Sequence, residues 1–188
     1  MAKAKKKIGV IDFVVLGVLV VCLVLAIVGL SVDNWTTTEE GFMGETMDAS
    51  FADYLDLNKE MQEDIDEFKD AGGDTDKAIE YVDEMLEGMG FGTLTELRLM
   101  VAFALITIIV LALLVVAYLL KMFLGLGFLR FVTLILGAVA LIGGVVAIAV
   151  TAAFCGEFLL VGAGAALLAV GGMLGGIAGG ASFFLSKK

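Results

Sequence analysis

Apolar and polar positions along this chain fall into long separate blocks. Four stretches, 8–31, 98–120, 131–155 and 158–185, are apolar almost without interruption. Asp12 is the one charge inside the first, Arg98 opens the second, and the third and fourth carry none. A hydrocarbon core about 30 Å thick takes roughly 20 apolar residues as a helix. A helix buried in a soluble core is rarely apolar on every side for so long. The pattern therefore predicts four transmembrane helices, TM1 to TM4, and the absence of proline predicts none that is sharply kinked. The first run exceeds the core of a signal peptide and no small-residue cleavage site follows it, so it reads as a retained anchor.

Between TM1 and TM2 the period changes. Ser50-Phe51-Ala52-Asp53 matches a capping box, a hydroxyl with an acid three residues on. Phe51, Tyr54, Leu55, Met61, Ile65 and Phe68 then recur at helical spacing, and Gly72-Gly73 breaks the run. Asp74 or Thr75 can cap a second helix with the stripe Ala78, Ile79, Val82, Met85, Leu86 and Met89. Gly88, Gly90 and Gly92 end it. The expected fold class is an all-α integral membrane protein. It is a four-helix bundle with an extracellular helical hairpin, helices at about 51–70 and 75–88, inside a loop 32–97. The remaining parts are tails 1–7 and 186–188, an inner turn 121–130 and an outer turn 156–157 holding Glu157.

Charge sharpens this picture. Lys3, Lys5, Lys6, Lys7, Lys121, Arg130, Lys187 and Lys188 fall on one side of a four-span chain. Segment 31–97 holds 20 of the 22 acidic residues and three basic ones, a net −17, while the rest of the chain sums to +7. Basic residues stay cytoplasmic, so both termini are expected in the cytoplasm of a plasma or cytoplasmic membrane, with the acidic loop outside. Acidic pairs four apart, such as Glu63–Glu67 and Glu80–Glu84, repel on the hairpin surface. They read either as a solvated face or as a face completed by a basic protein or divalent cations. Asp74-Thr75-Asp76 with Glu80 lacks EF-hand spacing. A chain of net charge −10 offers no basic patch for nucleic acid.

Composition narrows the chemistry. Hydrophobic residues make up 60% of the chain, against about 45–50% in soluble domains. There is no His, the commonest metal ligand and proton shuttle, and no nucleophile–base set. No Asp, Glu, Lys, Arg or His lies at mid-membrane, where proton-coupled transporters need such a group. Cys22 and Cys155 sit at different depths and are not expected to pair. Neither an enzyme nor a cofactor or metal site is expected. Asp12 lies about a turn inside TM1, as an interfacial residue or as an ion-path carboxylate. The most specific pattern is in TM4, where Gly171, Gly175 and Gly179 form one row and Gly172, Gly176 and Gly180 a second. Small residues every fourth position let another backbone approach closely. With Gly137, Ala140, Gly143, Gly144 and Ala147 on TM3, they serve either one bundle or contact with another copy or membrane protein.

The layout resembles the claudin/PMP22-like four-span proteins. Trp35, in Ser31-Val32-Asp33-Asn34-Trp35, sits just past the first span, where that family has a Trp. Arg98, in Glu96-Leu97-Arg98-Leu99-Met100, opens the second span, where claudins often have an Arg. Outside the resemblance, Trp35 reads as an interfacial belt aromatic and Arg98 as a snorkelling anchor. The family's Gly-Leu-Trp has its nearest match in Gly41-Phe42-Met43, its loop cysteine pair has no counterpart, and its loop is a small sheet where this one reads as helical. The function expected is a non-catalytic membrane scaffold, adhesion protein or accessory subunit. It would act through the acidic outer hairpin and glycine-mediated helix packing. The alternative is a homo-oligomeric channel whose acidic vestibule gathers cations.

Overall fold

The computed structural model describes residues 9–38, 48–156 and 159–185. The basic tails 1–7 and 186–188, Ile8, Gly41-Phe42-Met43, and Glu157 with Phe158 lie outside them. In chain order the elements are α1 (Val10–Ser31), β1 (Thr36–Thr38), β2 (Asp48–Ala49), α2 (Phe51–Asp70), α3 (Thr75–Gly88), α4 (Leu94–Leu124), α5 (Leu129–Phe154), β3 (Leu159–Val161) and α6 (Ala163–Leu185).

Four helices, α1, α4, α5 and α6, are long and apolar enough to cross a bilayer. They form a ring in which α6 packs on α5 and α1, and α4 on the same two from the other side. Leu19, Leu111, Leu114 and Leu168 fill the middle and are fully buried. The outward faces are also apolar, with Val21, Ile109, Ile142 and Ile177 all more than half exposed. Water would penalise such a surface heavily and lipid does not. The protein is an integral membrane four-helix bundle.

The ends of the spans follow local chemistry more than hydropathy. Helix α4 starts at Leu94, four residues before the expected 98. Thr93 and Glu96 make a capping box there: the Thr93 N–H donates to Glu96 Oε2 at 2.8 Å and the Glu96 N–H to Thr93 Oγ1 at 3.3 Å. It continues past the expected 120 to Leu124, because Met122, Phe123 and Leu124 keep the run apolar until Gly125 turns left-handed at φ 63. The turn expected at 121–130 shrinks accordingly to 125–128.

The helical bundle carries a small addition: three short strands stand beside the helices, between the spans. Strand β3 pairs antiparallel with β1, Thr36 opposite Val161 and Thr38 opposite Leu159, and β1 also pairs with β2 in a three-stranded sheet of order β2-β1-β3. Helix α6 begins only at Ala163. Leu159, Leu160 and Val161 are as apolar as the helix that follows, so hydropathy merges them with it. What separates them is a strand partner, Thr36-Thr37-Thr38, β-branched at every position.

Helix α6 approaches its neighbours at backbone distance. A Cβ on Gly171 would lie 2.6 Å from Cys22 O of α1, and one on Gly176 2.6 Å from Gly137 O of α5. Gly172 lies against Gly144 Cα, where a Cβ would come within 2.9 Å, and Gly175 and Gly179 face Leu111 and Leu114 of α4. The two rows thus meet different helices of the same bundle. Gly180 has nothing within 4 Å of a Cβ position. Real Cβ atoms do not sit this close to backbone, so filling these sites forces the helices apart, at about 1–3 kcal/mol. Gly176→Ala should lower the thermal midpoint in detergent, followed by circular dichroism, while Gly180→Ala should leave it unchanged. Equal midpoints for the two variants would refute the assignment.

Candidate interaction surface

The segment between α1 and α4 is built on the end of the bundle where α1 stops and α4 starts. Trp35 anchors it. Its backbone N–H donates to Ala49 O and its carbonyl accepts from the Gly162 N–H, both at 2.8 Å, so it belongs to both sides of the small sheet. Its side chain is fully buried against Phe51, ring centroids 4.7 Å apart. The belt reading of Trp35 is therefore corrected: β1, β2 and the start of α2 fold over it and remove it from any lipid interface. Tyr54 meets Phe154 edge-on at 5.7 Å, and Phe91 stacks on the same ring at 5.7 Å. The Tyr54 hydroxyl bonds Thr36 Oγ1. Burial pushes its pKa above the ordinary phenol value, against the opposing pull of that hydrogen bond.

Helices α2 and α3 rise from this junction. Ser50 and Asp53 form the reciprocal cap: the Asp53 carboxylate accepts from the Ser50 N–H and hydroxyl, each at 2.7 Å, and the Asp53 N–H donates back at 3.2 Å. Those bonds, the hydroxyl's first, hold the Asp53 carboxyl below the usual carboxylate range. Asp74 caps α3 by accepting from the Asp76 N–H at 3.0 Å. Two side chains clamp the hairpin to the bundle. Arg98 Nη2 donates to Gln62 Oε1 of α2 at 2.6 Å, which ties the start of α4 to α2. Asp83 of α3 accepts from the Leu94 N–H at 2.7 Å, a second cap on α4. In the sequence Asp83 stands four residues before Glu87, as one more repelling acidic pair of the hairpin surface. Its capping role pairs residues 11 apart and has no local signature.

The apolar stripes are only partly covered. Phe51, Tyr54, Met61 and Ile65 of α2 and Ala78, Val82 and Leu86 of α3 are buried. Phe68, Met85 and Met89, placed on the same stripes by periodicity, stand 48%, 37% and 51% exposed. Two helices make two walls of a core and leave the third open. The opening is a cleft of about 630 Å³ between α2 and α3, lined by Ile65, Phe68, Tyr81, Val82 and Met85, with Asp64, Glu67 and Lys77 at its edges. On the far side of α3, Asp76, Glu80, Asp83, Glu84 and Glu87 line a shallower groove around Ile79. Among the described residues no three acidic or thiol side chains converge closely enough to hold a metal ion, and Asp74 is committed to its cap.

The opposite end of the bundle carries a second polar set. The Asp12 carboxylate accepts from the Gly9 N–H at 3.0 Å and from the Tyr118 hydroxyl at 3.3 Å, capping α1 and tying it to α4. Lys121 Nζ donates to Ser182 O at 3.0 Å and Arg130 Nη2 to Phe183 O at 3.2 Å. Both cations thus sit on C-terminal carbonyls of α6, where the helix dipole favours them. Phe123, Phe128, Phe131 and Phe184 stand exposed around this end. Thr107, Thr133 and Thr151 bond to carbonyls of their own helices.

The chain matches no family model, no curated protein and no solved structure.

The cap on α2 has a pH signature. A carboxylate whose pKa falls on folding contributes stability above its unfolded value and loses it as pH drops through the folded one. Ser50→Ala should raise the Asp53 pKa toward the ordinary range and cost about 1 kcal/mol. Side-chain carboxyl NMR shifts of Asp53 across an acid titration read this directly, and an identical titration in wild type and variant would count against it. Asp83→Ala should speed amide exchange at Leu94 and along α3 while leaving α5 unaffected.

Proposed function

We propose that this chain is a non-catalytic four-span membrane scaffold or accessory subunit. Its α2–α3 hairpin faces the extracellular side and its termini lie in the cytoplasm. One observation carries the reading. The hairpin is held to the bundle by Arg98–Gln62 and Asp83–Leu94, yet leaves Phe68, Tyr81 and Met85 uncovered above the membrane domain. A loop needed only as a connection would not hold an apolar cleft in a fixed orientation. The charge split supports the sidedness, with Lys121 and Arg130 at one end of the bundle and the acidic segment at the other.

The interior supports a packed scaffold over a pore through the single chain. Leu111, Leu114, Leu168 and Ala104 fill it, and the threonine hydroxyls are turned to their own helices. The resemblance to claudin/PMP22-like proteins rests on the four-span layout with Trp35 and Arg98. Both are packing residues in this reading, and adhesion through the hairpin is the family-like form of the same function.

The alternative is a homo-oligomeric channel with Asp12 at the inner mouth. Potassium flux into proteoliposomes separates the two. The scaffold reading expects flux at the protein-free background and no effect of Asp12→Asn, whereas cation flux altered by Asp12→Asn would establish the channel. Glu84→Cys, in a Cys22→Ala, Cys155→Ala background, should react with a membrane-impermeant maleimide on intact cells. Labelling only after lysis would reverse the topology.

A further inference from the structure

From the cleft between α2 and α3 we infer a docking site for a cationic amphipathic helix of a partner protein. The inference rests on the scaffold reading and names the chemistry of the partner. Elsewhere in the chain, large exposed apolar side chains lie mostly on the membrane spans, where lipid covers them. Phe68, Tyr81 and Met85 lie instead on helices dense in carboxylates, which no bilayer core accepts. Tyr81 is 69% exposed, the most open aromatic among the described residues of the hairpin.

The shape selects a helix. The floor of the cleft is Ile65, Ala78 and Val82, and its two walls are helices joined by the Gly72-Gly73 turn. A third helix laid in the groove completes a three-helix core by ridges-into-grooves packing. The cleft is lined from Lys77 to Met85 on α3, so about 12 Å of groove is available, a little over two turns of an occupant.

The charge selects its sign. Asp64 and Glu67 flank the groove, with Lys77 as the one cation in its lining. The segment that carries it has a net charge of −17. A second copy would bring an equal negative surface against the first, and an anionic lipid headgroup would be repelled in the same way. A helix with an apolar stripe flanked by Lys or Arg meets both the uncovered side chains and the acidic rim, and its association is accelerated by that field.

The full chain in phosphatidylcholine nanodiscs tests this. The probe is a fluorescein-labelled Leu/Lys amphipathic peptide of about 15 residues, and its anisotropy is read against protein-free discs. The expected result is binding that weakens with salt and is lost when the peptide lysines become glutamates. Phe68→Ser with Tyr81→Ser should weaken it at least about tenfold, as removal of central apolar anchors does. Lys77→Glu should tighten it. Asp64→Gln with Glu67→Gln should weaken it more than Glu80→Gln with Glu87→Gln on the far groove. All these side chains are exposed or at the rim, and unchanged circular dichroism verifies the fold. Equal binding to protein-free discs, indifference to the Phe68 and Tyr81 changes, or dependence on total charge wherever it lies would each overturn the site. So would self-association of the wild type that the Phe68 and Tyr81 changes abolish, since the occupant would then be a second copy. Failure here with flux still at background removes the docking site and leaves the scaffold reading in place, whereas Asp12-dependent flux removes the scaffold reading itself.

Discussion

Inside a bilayer, turning an apolar side chain inward gains almost nothing, because lipid is as apolar as leucine. A bundle in that solvent is held by contact distance. This chain meets the constraint through α6, whose glycines let its backbone lie against α1 on one side and α5 on the other. The contact is reciprocal: a Cβ on Gly29 of α1 would lie 2.6 Å from Gly164 O, and one on Gly164 2.6 Å from Gly29 O. Wider packing would loosen the ring and pull apart the ends of α1 and α6, which the small sheet joins. The order of the segment between α1 and α4 therefore depends on the tightness of the bundle.

The two ends of the bundle solve the exposed-backbone problem differently. At the hairpin end, side chains from neighbouring segments supply acceptors to helix N-termini: Asp83 to α4, and Asn34 to α6 through the Ala163 N–H at 2.7 Å. At the opposite end, Lys121 and Arg130 supply donors to the carbonyls that close α6. Each device suits the sign of the helix terminus it meets. Each also ties elements far apart in sequence, so the caps act as tertiary contacts.

What the sequence made legible was whatever is local. The apolar runs mark the spans because a bilayer imposes their length. Ser50 with Asp53 marks the start of α2, and Gly72-Gly73 its end, because caps and breaks act over three or four residues. Thr93 and Glu96 carry the same local signature, but they lie before the apolar run of the span, so hydropathy alone does not mark them as the start of α4. The sheet was not legible: strands of two or three residues carry no useful alternation, and β1 finds β3 more than a hundred positions away. The glycine rows were plain in the sequence, but not which helix each would meet. The cleft was half legible. Periodicity puts Phe68 and Met85 on apolar stripes, but only the count of walls around them shows that they stay uncovered.

The capping of α6 by Asn34 has a consequence for how the chain is made. The acceptors for the first N–H groups of α6 lie in a connection synthesised early, and the strand that completes the sheet is synthesised late. Until the last span is threaded into the membrane, β1 has a free edge, Gly29 and Gly137 face an empty slot, and Lys121 and Arg130 lack the carbonyls they cover. Once α5 is made and until α6 joins it, α1, α4 and α5 leave the bundle open on one side, and α6 closes it. A ribosome stalled before α6 would leave three inserted helices and a hairpin without the element that fixes their spacing, a form for membrane quality control to recognise.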